Sequence, residues 1–418
     1  MGLSNESRER IARLQAAAAE LKATFVDKDL VVDLIAMALI TREHLLLLGP
    51  PGTAKSAIIK RMSALVEATY FEYLLTRFSE PSELFGPVDL QELQKGNYTV
   101  RTIGMAPDAE IVFLDEIFKA NSAILNALLS LINERVFYNG NVRQAVPLVS
   151  VLGASNDLPT DSSLNALFDR FLLRVQTDPV PDERVEDLLE SGWALEVDAI
   201  RASSQGQNVF VPGGDGKSGK GKGSGTSAKA GTAARHGLTI PDILGLHAEL
   251  ARIDLRPVLR EYHQVIREIR AEGIPFSDRR SIKSLKLIAA SALLRGDGAA
   301  RPRDLWPLVH TWSRPEQLGR LQEIVLPRVE ADGGAALSVD RPLEDVSQDL
   351  DLLDGEAGGL RGEPAWLAHL RALGNVRREL LGSEAEAQRR ADLLRRCEQL
   401  VERALQRMGS LDHPSASA

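Results

Sequence analysis

The chemically most informative stretch of the chain reads Gly49, Pro50, Pro51, Gly52, Thr53, Ala54, Lys55, Ser56. It follows an apolar run and precedes apolar residues at helical spacing, so the pattern predicts a strand, a loop and a helix. Such a loop directs backbone N–H groups, and the positive end of the following helix, toward an anion. Lys55 would then contact the β- and γ-phosphates of a nucleotide, and the Ser56 hydroxyl would ligate Mg²⁺.

One residue of this stretch departs from the phosphate-binding pattern G-x-x-x-x-G-K-[ST]. Ala54 stands where the second glycine is expected. Alanine narrows the allowed backbone angles but keeps the N–H group. The alternative interpretation is a Gly/Pro-rich turn that binds nothing. The strand and helix predicted on either side favour phosphate binding instead.

A second apolar run, residues 111–114, ends in two carboxylates, Asp115 and Glu116. In open parallel sheets, ligands bind at the carboxyl ends of the strands. Asp115 suits the coordination shell of Mg²⁺, usually through water. Glu116 suits orienting and deprotonating an attacking water. This second carboxylate favours a hydrolase over a passive nucleotide binder.

Three further polar residues stand where predicted strands or helices begin or end. Asn156 follows a strand and could hold the water or the γ-phosphate, or could form an Asx turn before Asp157. Arg170 precedes another strand, and Arg279 begins a helix. From the residues alone, surface salt bridges remain the alternative for both arginines.

These residues require a particular scaffold. Five strands are predicted at residues 44–48, 70–76, 109–114, 149–154 and 171–175, separated by helices or insertions. That alternation predicts an α/β fold with a five-stranded parallel sheet covered by helices on both faces. An irregular insertion at 79–104 and a hairpin around Asn139 and Gly140 would project from this core.

The remaining composition sets the domain organisation. We expect an α/β nucleotide-binding core at 1–195, a Gly/Ser/Lys-rich linker or disordered loop at 203–235 and an all-helical lid at 238–312. A C-terminal helical domain at 313–418 would contain an acidic loop at 344–363 and end in a helical hairpin.

Charge and cysteine content exclude several functional classes. The formal net charge of -8 argues against nucleic-acid binding through bulk charge. The single cysteine, Cys397, excludes an intrachain disulfide framework and lies on a predicted apolar helix stripe. No apolar run is long enough to span a bilayer, and the charged N-terminus lacks a signal-peptide core, so we expect a cytoplasmic protein.

The motifs and their order resemble AAA+ ATPases of the MoxR family. The resemblance covers residues 14–295 and is carried by residues 49–56, 111–116, 154–156, 167–171 and 277–279. The amino-acid sequence of four segments, residues 48–56, 73–79, 84–87 and 132–135, is similar to that of the RavA branch of that family. In this branch an alanine at the position of Ala54 is usual.

The resemblance implies roles for the isolated polar residues. Asn156 looks like sensor 1. Arg170 looks like an arginine finger that completes a neighbouring subunit's ATP site, with Arg174 as the runner-up. Arg279 looks like the sensor-2 arginine of the lid, with Arg280 as its runner-up. The insertion and the hairpin would line the face or pore of a hexameric ring.

The resemblance also implies partners. The family is associated with chaperone-like maturation of protein complexes, often beside a protein with a von Willebrand factor A domain. The RavA branch adds a β-rich domain that docks a decarboxylase, and residues 330–362 leave no room for it. We therefore expect an ATP-hydrolysing remodeller of protein partners. The alternative is a nucleotide-gated scaffold with little hydrolysis, and a nucleic-acid motor is disfavoured by charge.

Overall fold

The chain forms two compact units, residues 1–328 and 329–418. The computed structural model describes residues 3–159, 164–204, 236–333, 343–357 and 387–409, with single residues between 366 and 380. The elements in chain order are α1 Asn5–Thr24, α2 Asp29–Thr41, β1 His44–Leu48, α3 Lys55–Leu65, β2 Tyr70–Leu74, α4 Pro81–Phe85, α5 Leu90–Gln94, β3 Ile111–Asp115, α6 Ser122–Glu134, β4 Val136–Asn139, β5 Val142–Ala145, β6 Ser150–Ser155, α7 Asn165–Phe168, β7 Phe171–Gln176, α8 Val185–Ser204, α9 Ile240–Glu249, α10 Arg256–Ala271, α11 Asp278–Leu294, α12 Leu318–Ala331, α13 Leu343–Glu356 and α14 Ala387–Gly409.

A five-stranded parallel sheet forms the centre of the first unit, in the order β2-β3-β6-β1-β7. All residues of β1 and β6 are buried, as expected for strands covered on both faces. This order places the carboxyl ends of β3, β6 and β1 side by side. The predicted α/β fold with a parallel sheet is confirmed.

The lid helices pack against the start of β1. Glu43 is buried and forms ion pairs with Lys283 and Lys286, both on α11. Burial by itself would raise the pKa of Glu43, but the two ammonium groups lower it below its ordinary value. A buried carboxylate without such partners would strongly destabilise the fold, so this triad fixes the lid to the core.

The predicted hairpin forms as β4 and β5, and it contacts the insertion at residues 79–104. Asn139, at the end of β4, donates its side-chain amide to the carbonyl of Val100 over 3.0 Å and accepts from the Val100 N–H over 2.7 Å. A Cβ on Gly140 would lie 2.0 Å from the carbonyl oxygen of Tyr98, so only glycine fits there. The insertion, with α4 and α5, and the β4–β5 hairpin therefore form one projection.

Helix α8 is an element for which the sequence patterns gave no prediction. It extends from Val185 to Ser204, beyond residue 195. Its apolar side chains Leu189 and Trp193 are exposed, so they do not form the buried stripe by which amphipathic helices are recognised. From residue 205 onward, the linker expected at 203–235 lies outside the described residues.

The second unit is helical as expected, but its acidic segment was predicted wrongly. Residues 344–363 were expected to form a loop, whereas residues 343–356 form α13. Val346 and Leu350 of α13 are buried in a cluster with Cys397 and Leu400 of α14. This apolar i, i+4 spacing supplies a buried stripe, which outweighs the repulsion among the carboxylates on the exposed side.

No helix in the described ranges is long and apolar enough to cross a membrane.

Candidate nucleotide site

The phosphate loop lies where the sequence predicted it, between β1 and α3. A Cβ on Gly49 would lie 2.1 Å from the carbonyl oxygen of Thr177, which follows β7. Thr177 also donates its backbone N–H to Leu48 over 2.6 Å, and its hydroxyl lies 3.2 Å from that of Thr53. Gly49 is therefore required by a close approach, and the end of β7 buttresses the loop.

Lys55 is buried beneath this loop and donates to its carbonyls. Its Nζ lies 2.7 Å from the Gly49 oxygen and 2.8 Å from the Pro50 oxygen. Burial lowers the pKa of Lys55, and the negative charges of Asp115 and Glu116 partly oppose this effect. Lys55 thus lies within electrostatic reach of both carboxylates while its ammonium bonds two carbonyls of the loop.

Ala54 and Ser56, on either side of Lys55, lie at the start of α3. Ala54 is left-handed, with φ 62 and ψ 17, which an L-residue adopts at a cost of about 1–2 kcal/mol. Its carbonyl accepts the N–H of Ile58, so the strained residue begins the helix. Ser56 follows in the first turn and is half-buried. The helix N-terminus therefore points to the loop, as phosphate binding requires.

The two carboxylates lie at the carboxyl end of β3. Asp115 is half-buried and accepts the backbone N–H of Glu116 with its side chain over 2.9 Å. Glu116 is left-handed, with φ 53 and ψ 44. Non-glycine residues rarely adopt this conformation, and it is enriched at functional sites. Here it turns the chain sharply after the strand.

Asn156 lies beside this turn, because β6 is the neighbour of β3. It donates its side-chain amide to Oε1 of Glu116 over 2.8 Å. Lys119 Nζ lies 3.5 Å from the same oxygen. One subunit thus brings together four of the predicted residues, Lys55, Asp115, Glu116 and Asn156.

The predicted finger residue has no hydrogen bond or ion pair to that group among the described residues. Arg170 has one carboxylate partner among the described residues, Asp169, at 3.8 Å, and its Nε is buried without a hydrogen bond. Its pKa is lowered by burial and then by the positive charge of Arg279. The two arginines therefore lie near each other, although one precedes β7 and the other begins α11.

Neither runner-up arginine is available to a ligand. Arg174 is fully buried within β7, bonds the carbonyls of Trp312 and Phe168, and stacks 4.1 Å above the Phe168 ring. Burial lowers the pKa of Arg174 to about 9. Its bonds hold the segment before Arg170 in place.

Arg279 and Arg280 differ sharply although they are adjacent. Arg280 is 7% exposed and donates to Asp169 over 2.9 Å and to Ser313 over 2.8 Å. Arg279 is exposed and donates to Asn133, at the end of α6, over 3.2 Å. The lid therefore presents Arg279 beside Arg170, and no contact joins it to the phosphate loop within the described residues.

The donor set of the site fits Mg²⁺. Ser56 and Asp115 offer oxygen ligands, and Mg²⁺ commonly takes one or two protein oxygens and completes its octahedron with phosphate and water. In the ranges that the structure describes, no group of three or more His, Cys, Asp or Glu side chains is arranged for a metal. A dedicated all-protein metal cage is thus not found there.

Sequence reasoning missed two residues of this site. Thr177 contacts the loop only because β7 lies beside β1 in the sheet, and no sequence signal indicates that order. Lys119 could have been found, because it stands three residues after Glu116 in a short 3-10 turn, Ile117–Lys119.

The fold and site define the class of the protein: a P-loop core with a parallel sheet and an all-helical lid is the architecture of an AAA+ ATPase. A solved structure of a putative ATPase from Cytophaga hutchinsonii has this fold, with a TM-score of 0.54, 16% identity, and coverage of 78% of this chain and 96% of that one. An AAA lid domain model matches residues 253–325.

The chain belongs to the MoxR family of AAA+ ATPases. A model described as the MoxR domain in the MoxR-vWA-beta-propeller ternary systems matches residues 12–209. The uncharacterized protein MJ0812 of Methanocaldococcus jannaschii is 31% identical over 82% of this chain and 83% of its own length. The chaperone MoxR1 of Mycobacterium tuberculosis is 26% identical over 43% of this chain and 48% of its length. A place in the RavA branch stays a prediction.

Proposed function

We propose that this protein hydrolyses ATP as a hexameric ring and uses hydrolysis to remodel or mature protein partners. The observation that carries this proposal is the division of the polar residues into two groups. Asn156 contacts Glu116, and Lys55 lies within electrostatic reach of Asp115 and Glu116, whereas among the described residues no hydrogen bond or ion pair joins Arg170 or Arg279 to any of these four.

The first group suits the chemistry of one ATP site. The backbone N–H groups of residues 49–56 and the α3 N-terminus bind the phosphates, and Lys55 exchanges its loop carbonyls for the β- and γ-phosphate oxygens. Ser56 and Asp115 would hold Mg²⁺, which would supply positive charge to neutralise the phosphates. Glu116 orients the attacking water and takes its proton, and Asn156 fixes the Glu116 carboxylate.

The second group suits completion of a neighbouring site. An arginine that approaches the γ-phosphate from outside stabilises the charge of the transition state and can contribute about 10³–10⁵ in rate. Arg170 has a buried unpaired Nε and one distant carboxylate partner among the described residues. Arg279 is held beside it by Asn133. Both would act on the ATP of the adjacent subunit, whereas the sequence suggested that role for Arg170 alone.

The projection from the core suits contact with protein partners. It carries several exposed apolar side chains, including Leu90 (68% exposed), Ile103 (88%) and Tyr138 (53%). Exposed apolar surface of this kind is typical of protein interaction sites. The matching MoxR domain model is described from systems that contain a vWA component, which supports a von Willebrand factor A domain protein as one partner.

Purified protein, incubated with ATP and Mg²⁺ in a phosphate-release assay, tests this function. The wild type should turn over, and Glu116→Gln should bind ATP normally but lose about 10²-fold or more of the rate, because the water loses its base. Tight ATP binding with background release by the wild type would favour the alternative, a nucleotide-gated scaffold with little hydrolysis.

A further inference from the structure

The hydrogen bond to the Glu116 carboxylate falls on one of its two oxygens. Oε1 accepts the Asn156 amide over 2.8 Å and lies 3.5 Å from Lys119 Nζ. Within the part of the chain that the structure describes, no hydrogen bond is made to Oε2. A carboxylate fixed in this way has one oxygen for orientation and one left to accept a proton.

The backbone around Lys119 is fixed independently of its side chain. The Lys119 N–H donates to the Glu116 carbonyl over 2.8 Å and closes the 3-10 turn. Ile117 is fully buried, and the Phe118 ring packs against Phe168 at a centroid distance of 6.0 Å. These contacts keep the Lys119 backbone beside Glu116, and its half-exposed side chain brings the ammonium to Oε1 from there.

We propose that Lys119 is a positioning residue for ATP hydrolysis: with Asn156, it holds Oε1 of Glu116 so that Oε2 faces the attacking water. The inference rests on the proposed function, in which Glu116 is the base. Lys119 does not touch the nucleotide in this scheme. Its loss therefore lowers the turnover number and leaves ATP binding intact, since a misoriented carboxylate affects only the chemical step.

Steady-state kinetics of Lys119→Met test this role. The expected result is a decrease of about tenfold in kcat with KM for ATP and the affinity for a non-hydrolysable ATP analogue unchanged. Lys119→Arg should recover most of the rate, because it restores a cation near Oε1. Arg252→Met is the matched control, since Arg252 forms an exposed i, i+3 ion pair with Glu249 over 2.9 Å in the lid.

Two outcomes would overturn the inference. One is a wild-type kcat in Lys119→Met, and the other is an equal decrease of kcat in Arg252→Met. A second measurement separates this failure from failure of the proposed function. Crystal structures of the wild type and Lys119→Met with the same analogue should show the Glu116 carboxylate rotated in the variant. An unchanged carboxylate would contradict the positioning role whether or not the wild type hydrolyses ATP.

Discussion

Asn156 donates its side-chain amide to the carboxylate of Glu116 over 2.8 Å, across the neighbouring strand ends of β6 and β3. The two residues are separated by 40 positions in the chain. Their contact depends on the sheet order, in which β6 lies between β3 and β1. The residue that could sense the γ-phosphate thus directly restrains the residue that could activate water.

Asn156→Ala removes this restraint and should lower kcat by about 10–100-fold, because Glu116 then samples unproductive orientations. ATP affinity should change less than twofold, since the phosphate loop is intact. Nucleotide titration and phosphate release measure the two quantities. An equal loss of affinity and turnover would show that Asn156 serves binding instead of positioning.

The adjacent arginines of the lid provide a matched pair. Arg280→Ala should lower the free energy of unfolding by about 2–4 kcal/mol, because it removes the hydrogen bond to Asp169 and leaves the buried Thr311 carbonyl without this donor. Arg279→Ala should change stability by less than about 0.5 kcal/mol, since its side chain is exposed. It should nevertheless lose most ATP turnover.

Urea unfolding and phosphate release on both variants test this contrast. Strong destabilisation by Arg279→Ala, or full turnover after it, would be incompatible with a role at a neighbouring ATP site.

Mixing two inactive variants should restore activity if Arg170 acts on an adjacent subunit. Arg170→Ala keeps an intact Glu116, and Glu116→Gln keeps an intact Arg170. In mixed rings, some sites then receive both groups, so phosphate release should exceed that of either variant alone. The double variant, mixed with Arg170→Ala, is the control and should restore nothing. Absence of recovery in rings shown to exchange subunits would place Arg170 outside the neighbour's site.

Acidification should destabilise the first unit through two buried histidines. Burial lowers the pKa of His44 to about 3 and that of His310 to about 4. The unfolded chain binds these protons near pH 6.5, before the folded chain does. Stability is therefore complete above about pH 6.5 and falls as the pH decreases toward the folded values, by about 1.4 kcal/mol per pH unit for each histidine.

Urea unfolding at a series of pH values measures this slope, and His310→Phe is the informative variant. Among the described residues His310 Nε2 has no hydrogen-bond partner, so the phenyl ring removes only the contact of the imidazole with the Arg174 backbone. Between pH 4 and pH 6.5 the free energy of unfolding of the variant should depend less steeply on pH, by about 1.4 kcal/mol per pH unit. An identical slope would mean that His310 titrates normally in the folded protein.

Much of this protein follows from its sequence. The glycines, Lys55 and Ser56 after a buried strand define a phosphate loop, because backbone angles and charge at these positions are local properties. The alternation of apolar runs and helices predicts the parallel sheet, because two parallel neighbouring strands must be connected by a crossover, usually a helix. The start of α6 is also set locally, because the Asn121 side chain accepts the Ile124 N–H and caps the helix.

The tertiary structure decided what distant residues do to each other. Nothing local indicates that Thr177 closes on Gly49, that Arg279 lies beside Arg170, or that Arg280 is the buried neighbour. These relations depend on the order of the strands and on how the lid packs. Both are determined by many contacts between residues that are distant in the chain. Helix α13 shows the same limit, because its acidic composition suggested a loop until burial of Val346 and Leu350 outweighed the charge repulsion.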